Sequence, residues 1–187
     1  ELARCQDPDD VRLPAAVREL VGEQVRALDR LEQHLAAYAE RIAAQARGSE
    51  AARRLQTIVG VGPTTAAALV ATVGAPQEFS HGRQFAAWLG LTPKQHSTGG
   101  KTRLGRITKR GDAYLRTLLI LGAKSALQAA LRKAPELRHP LQRWIVATLD
   151  RIGYHKTLVA IANKHARIIW AMLVKDEDFD VQRMAPK

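Results

Sequence analysis

Ser97 and Thr98 stand immediately before Gly99 and Gly100, and Lys101, Arg103, Arg106, Lys109 and Arg110 follow within fourteen positions of the serine. A small hydroxyl on a glycine-rich, cationic loop has what nucleophilic attack on phosphorus needs. The glycines let a substrate backbone come close, and the guanidinium groups neutralise charge that develops on the transferring phosphate. The same residues also describe a loop that only clamps phosphate, with the serine donating one hydrogen bond and no covalent bond changing. Spacing alone leaves both readings open. Thr98 is the rival hydroxyl, more hindered because its oxygen sits on a secondary carbon. His96 is adjacent, but neighbours in a loop commonly point apart, and no general base is assigned.

These hydroxyls lie in the run from Lys94 to Asp112, which holds four Gly and six Lys or Arg with only two large aliphatic residues. Such a composition predicts a loop built to touch something, with Lys94 part of its cationic set. A second element that could meet phosphate lies upstream, in Ile58-Val-Gly-Val-Gly-Pro63 followed by an Ala-rich stretch. Its form, a short helix, a Gly-x-Gly-Pro turn and a second helix, resembles a helix-hairpin-helix. Gly60 and Gly62 permit tight backbone geometry, Pro63 suits a first helical turn, and the N–H groups near Thr64 are free to receive a phosphate. The alternative is an ordinary helical turn in which the glycines only cap and pack.

Charge supports a polyanionic partner. The 187 residues carry 29 Lys and Arg against 18 Asp and Glu, a formal net charge of +11. From Ala51 to Lys175 there are 20 basic residues and four acids, Glu78, Asp112, Glu136 and Asp150, so this stretch alone carries +16 while the flanks are net acidic. A surface that only needs solubility mixes its signs, and this segregation points to a phosphate-facing middle. A single Cys5 excludes an internal disulfide, and no Cys/His cluster has zinc-ligand spacing. No apolar run approaches a membrane span and no leader is evident, so a cytoplasmic setting is expected, with no membrane partner. The first residue is Glu rather than Met, as in a fragment or a processed product, and further residues are expected before it.

The elements that must position these groups read as all-α. Val17, Val21, Gln24, Leu28, Leu31, Leu35, Tyr38 and Ile42 recur at alternating spacings of four and three, a heptad seam on one long helix. A helix packed on its own domain would show an apolar stripe too, but the narrow stripe and the Gln at a seam position suit a coiled coil at least as well, and self-association is the expectation. Helices are expected again after Ser80, over Ala113–Leu131 with Leu115, Leu118, Leu119 and Leu121 in the core, over Leu141–Leu149 and over Thr157–Leu173. No strand-period alternation of any length is present. The organisation read from these patterns is a polar lead-in (1–14), a coiled-coil helix (15–48), a helix-hairpin-helix-like DNA-binding element (49–80), a serine-bearing helical domain (81–175) and a solvated acidic tail (176–187).

Several stretches together carry a resemblance: Ile58-Val-Gly-Val-Gly-Pro63, Ala87-Trp-Leu-Gly-Leu-Thr-Pro93, Ser97-Thr-Gly-Gly100, Leu104-Gly-Arg-Ile-Thr-Lys-Arg-Gly111, Tyr114-Leu-Arg-Thr-Leu-Leu119, Ala160-Ile-Ala-Asn-Lys164 and Ile168-Ile-Trp-Ala-Met172. The chain resembles transposases of the insertion sequence 110 family over roughly residues 50 to 180. That resemblance implies a RuvC-like nuclease domain with a DEDD carboxylate set, a coiled-coil connector and a transposase domain bearing a catalytic serine. It implies Ser97 as the attacking residue, DNA as substrate, a guide (bridge) RNA as partner, and Mg2+ at the nuclease domain. The carboxylate set has no counterpart here, because the four acids of the basic middle are scattered over more than seventy residues. No metal or cofactor is expected on this part, which is expected to bind DNA but to cut it only with the carboxylate domain. Two other classes remain open: a non-catalytic DNA-binding or architectural module, and a basic RNA-binding accessory protein, for which the few, unclustered aromatics provide no stacking platform.

Overall fold

A computed structural model describes residues 14–95 and 103–180, and these form seven α-helices with one two-stranded β-ribbon. Helix α1 (Ala15–Gly48) starts where Pro14, which has no N–H to lose, offers its carbonyl to the amides of Val17 and Arg18. Up to Ala44 this helix is a unit of its own. Its seam lies open to solvent, with Leu28, Leu31 and Leu35 52, 58 and 68% exposed, so no apolar face within the unit covers the stripe.

The second unit begins at Gln45. Gly48 ends α1, and Ser49 caps the short α2 (Glu50–Leu55) by accepting from the amide of Ala52 at 3.3 Å. Helix α3 (Pro63–Val73) follows, opened by Pro63 at its first position and stopped by Gly74 at φ +54°. Helix α4 (Gly82–Trp88) is capped by His81, whose Nδ1 accepts from the Gln84 amide at 3.1 Å. The ribbon strands β1 (Pro93–Gln95) and β2 (Leu104–Ile107) come next, then α5 (Ala113–Arg132), α6 (Pro140–Ile152) and α7 (Tyr154–Lys175).

Helix α7 is the central post, packed on α4, α5, α6 and α2. By length and composition it could cross a membrane, but its apolar residues Leu158, Ile161, Ala162, Ala166 and Ile169 are buried core. Leu115, Leu119 and Leu127 of α5, Phe85 of α4 and Ile145 of α6 complete that core. Burying a side chain of this size contributes about 2 kcal/mol each, which holds the helices together against modest intrinsic propensity. The aromatic cluster Phe79, Phe85 and Trp88, with centroids 5.2 to 5.7 Å apart, and the Trp170 Nε1–H donated to the Pro76 carbonyl at 3.1 Å fasten the segment before α4 to α7.

The helical class expected from the periodicity holds, with three local differences. The Lys94–Asp112 run, with Pro93 before it, holds the paired strands β1 and β2, too short to leave an alternating signature. Leu121 is 57% exposed, since it falls off the face of α5 that carries Leu115 and Leu119. Asp176 is more than solvated tail: it ends α7 in a left-handed conformation (φ +59°), and Arg54 of α2 donates to its carbonyl and pairs with its carboxylate.

Candidate nucleic-acid interface

The basic hairpin is built from its root outward. Gly90 (φ +71°) and Gly111 close the root by backbone contact: a Cβ on Gly111 would fall 1.9 Å from the Trp88 carbonyl oxygen, and one on Gly90 would lie 2.9 Å from the amides of Arg110 and Gly111. No other residue type fits either position without moving the main chain. The amide of Lys109 donates to Gly90 and that of Thr108 to Thr92, at 3.1 and 2.8 Å. The Arg116 guanidinium on α5 reaches back to the carbonyls of Leu89, Gly111 and Asp112 at 3.2 to 3.4 Å, and Asp112 caps α5 by accepting from the Leu115 amide at 2.8 Å. On the other side Asn163 of α7 donates to the Leu91 carbonyl at 3.3 Å. The hairpin is thus anchored to the core by two long-range side chains, α5 contributing one and α7 the other.

From this root the ribbon runs outward with Pro93 opposite Ile107 and Gln95 opposite Leu104, and a bulge sets Gly105 and Arg106 against Lys94. Lys94, Arg103, Arg106, Lys109 and Arg110 are all exposed, and no ion pair among the described residues engages them. Lys109 sits at φ +56°, a conformation that costs a non-glycine residue about 1 kcal/mol or more and that turns the chain out of β2 toward α5. The result is an arm whose described side chains are cationic or uncharged, with all five of its described Lys and Arg exposed. Ser97, Thr98, Gly99, Gly100 and Lys101, with His96, lie outside the described residues, in the connection between β1 and β2.

The helical hairpin separates the two glycines that the sequence presents as a pair. Gly60 (φ +95°) is pressed on α5, where a Cβ would fall 2.2 Å from the Gly122 carbonyl oxygen, and Gly122 meets the Gly60 carbonyl in the same way. Its freedom is used for close packing. Gly62 and Thr64 are exposed at the start of α3, with Gly62 as an N-cap that supplies no side-chain acceptor, so first-turn amides remain available to an anion. Sequence reasoning missed Arg116, Asn163, Gly111 and Gly122, because each acts across a long separation in the chain. Among the described residues no three His, Cys, Asp or Glu converge where a metal ion could be held.

Fold and surface together define a helical domain that holds out a glycine-clasped, cationic β-hairpin. Residues 52–141, which include that hairpin, match the model of the transposase IS116/IS110/IS902 family. The chain is 45% identical over 88% of its length to a probable family 20 transposase of Pseudomonas aeruginosa, covering 47% of it. It is 42% identical over 76% of its length to the transposase of insertion sequence element IS1111A from Coxiella burnetii, covering 38% of that protein. A putative transposase of Sinorhizobium fredii is 38% identical over 91% of the chain and 43% of its own length. The chain thus spans less than half the length of each of these relatives.

Proposed function

We propose that this chain is the DNA-handling and serine-bearing part of a transposase or recombinase. The observation that carries this reading is the hairpin itself: five exposed cations free of described acid partners, rooted rigidly in a segment that matches a transposase domain. DNA is held mainly through its phosphates, by Lys94, Lys101, Arg103, Arg106, Lys109 and Arg110, with Thr98, Gly99 and Gly100 admitting its backbone, and by the first turn of α3 at Gly62 and Thr64. Gly60 serves by bringing that turn onto α5.

In this reading the Ser97 Oγ attacks a phosphorus of the DNA strand. A P–Oγ bond forms as Oγ gives up its proton to solvent, the bond from phosphorus to a neighbouring sugar oxygen breaks, and that oxygen takes up a proton from solvent and leaves as a free hydroxyl. The link keeps the energy of the phosphodiester, so a second strand can displace the serine. The resemblance adds Mg2+ held by a carboxylate-bearing nuclease domain, needed because the basic middle lacks converging acids, and a guide RNA that selects sequence. Self-association through the seam of α1 and a cytoplasmic setting belong to the same proposal. The non-catalytic alternative keeps every binding contact and drops the covalent step.

Binding is tested by titrating unrelated DNA duplexes at several salt concentrations. Affinity is expected to fall steeply as salt rises, and Arg103→Ala with Arg106→Ala to flatten the logarithmic slope by about two, since each lost phosphate contact removes about 0.9. Weak salt dependence, or strong sequence preference without RNA, would contradict the reading.

A further inference from the structure

A second cationic site lies where α6 and α7 meet. The Lys164 Nζ of α7 stands 4.2 Å from the ring centroid of Trp144 on α6. The indole quadrupole attracts the ammonium and holds a four-carbon side chain in one place. The lysine bears a cost there: its pKa lies below the usual lysine range, first because burial strips water from it and second because the Arg167 guanidinium, three residues on, repels it. No acid among the described residues offsets that cost. Residues 151–175 contain neither Asp nor Glu, and no ion pair among the described residues involves Lys164 or Arg167. An acid three or four positions away on the helix could pair with Lys164, but those positions hold Ala160, Ile161, Arg167 and Ile168.

This turn of α7 is also fixed to the hairpin. Asn163 holds the Leu91 carbonyl at the hairpin root, and a Cβ on Gly82, at the start of α4, would come within 3.1 Å of the Arg167 backbone. The two cations are therefore carried on the same rigid turn that anchors the arm. An external anion is what would complete the pair.

We propose that Lys164 and Arg167, ordered beside Trp144, form a second phosphate-binding site that grips the sugar-phosphate backbone of duplex DNA engaged by the hairpin. This rests on the reading that the hairpin binds DNA, and extends the contact from the arm to the body of the domain. Duplex is favoured over unpaired RNA because Lys164 covers the indole face that a splayed base would stack on.

The test uses the full chain, a generic DNA duplex and a structured RNA hairpin, each titrated across a salt series, with thermal melts to verify folding. Lys164→Gln with Arg167→Gln is expected to weaken duplex binding roughly tenfold or more near 0.1 M salt and to flatten the slope by about two. Lys164→Arg retains the slope. Arg167→Gln alone, at an exposed position, is expected to lower the slope by about one and remains readable if the double variant misfolds. Unchanged slope and affinity in the glutamine variants, with Arg103→Ala and Arg106→Ala still flattening the slope, would overturn the site and leave the hairpin reading standing. Loss of RNA binding alone would overturn the duplex claim. A wild-type chain without salt-dependent duplex binding would remove the hairpin reading and, with it, this one.

Discussion

A Cβ built on Gly60 lies 2.2 Å from the Gly122 carbonyl oxygen, whereas one built on Gly62 meets nothing within 4 Å. The same substitution is therefore expected to act on different properties at the two positions. Gly60→Ala forces a side chain at φ +95° and pushes α5 away, and is expected to cost about 3 kcal/mol of stability. Gly62→Ala at φ −88° is expected to cost about 1 kcal/mol or less, and to be felt in DNA affinity if α3 receives phosphate. Denaturant unfolding of the two variants checks this, and equal losses would contradict it. His165 is a second single-residue case, buried on α7 with neither ring nitrogen hydrogen-bonded to a described group. Burial lowers its pKa to about 4 from an ordinary 6.5, so the folded protein keeps the ring neutral while the unfolded chain takes up a proton. Its contribution is then fully present above pH 6.5 and is lost as pH falls toward 4, amounting to about 3 kcal/mol across that window. His139, whose pKa is lowered by burial and by Lys133 and Arg143, acts with the same sign. Melting temperatures between pH 4 and pH 7 should fall less steeply for His165→Leu than for the wild type, and parallel curves would count against the buried neutral ring.

Among the elements, α1 stands apart. Its seam leaves Leu28, Leu31 and Leu35 more than half exposed, an arrangement that water disfavours over so long a helix unless another helix covers it. The wild type is expected to sediment as an oligomer and the Leu28, Leu31, Leu35→Ala variant as a monomer, with Gln24 setting the register. Two monomers at the same dilution would contradict the coiled coil. That helix was legible because a seam repeats seven-residue spacing over many turns, a signal carried by the sequence itself. The start of α3 was legible for a similar reason, since Pro63 after Gly62 marks a first turn whatever surrounds it. The hairpin was legible only as a cationic, glycine-rich segment. Strands of three and four residues leave no alternation to read, and what pairs them comes from elsewhere: Arg116 from α5, Asn163 from α7 and the Gly90–Gly111 contact. Leu121 and Gly60 follow the same rule, because a local pattern states which residue could be buried or bent and only the packed neighbour decides which one is.

For the molecule as a whole, charge and fold coincide. The basic stretch from Ala51 to Lys175 covers the helical unit from α2 to the end of α7, while acids gather at both ends of the chain. In the proposed function that balance draws the domain to DNA, and the attacking hydroxyl is carried between β1 and β2. The central claim is that this hydroxyl is Ser97 and that it becomes covalently attached. The measurement is a strand-cleavage reaction supplied with guide RNA, Mg2+ and the carboxylate-bearing domain, stopped by denaturation, digested with protease and read by mass spectrometry. DNA is expected on the peptide that carries Ser97, with Ser97→Ala abolishing cleavage while binding duplex nearly as well as the wild type, and Thr98→Ala remaining active. Cleavage by Ser97→Ala, or an adduct on Thr98 or Tyr114, would contradict the account and leave the hairpin as a phosphate clamp.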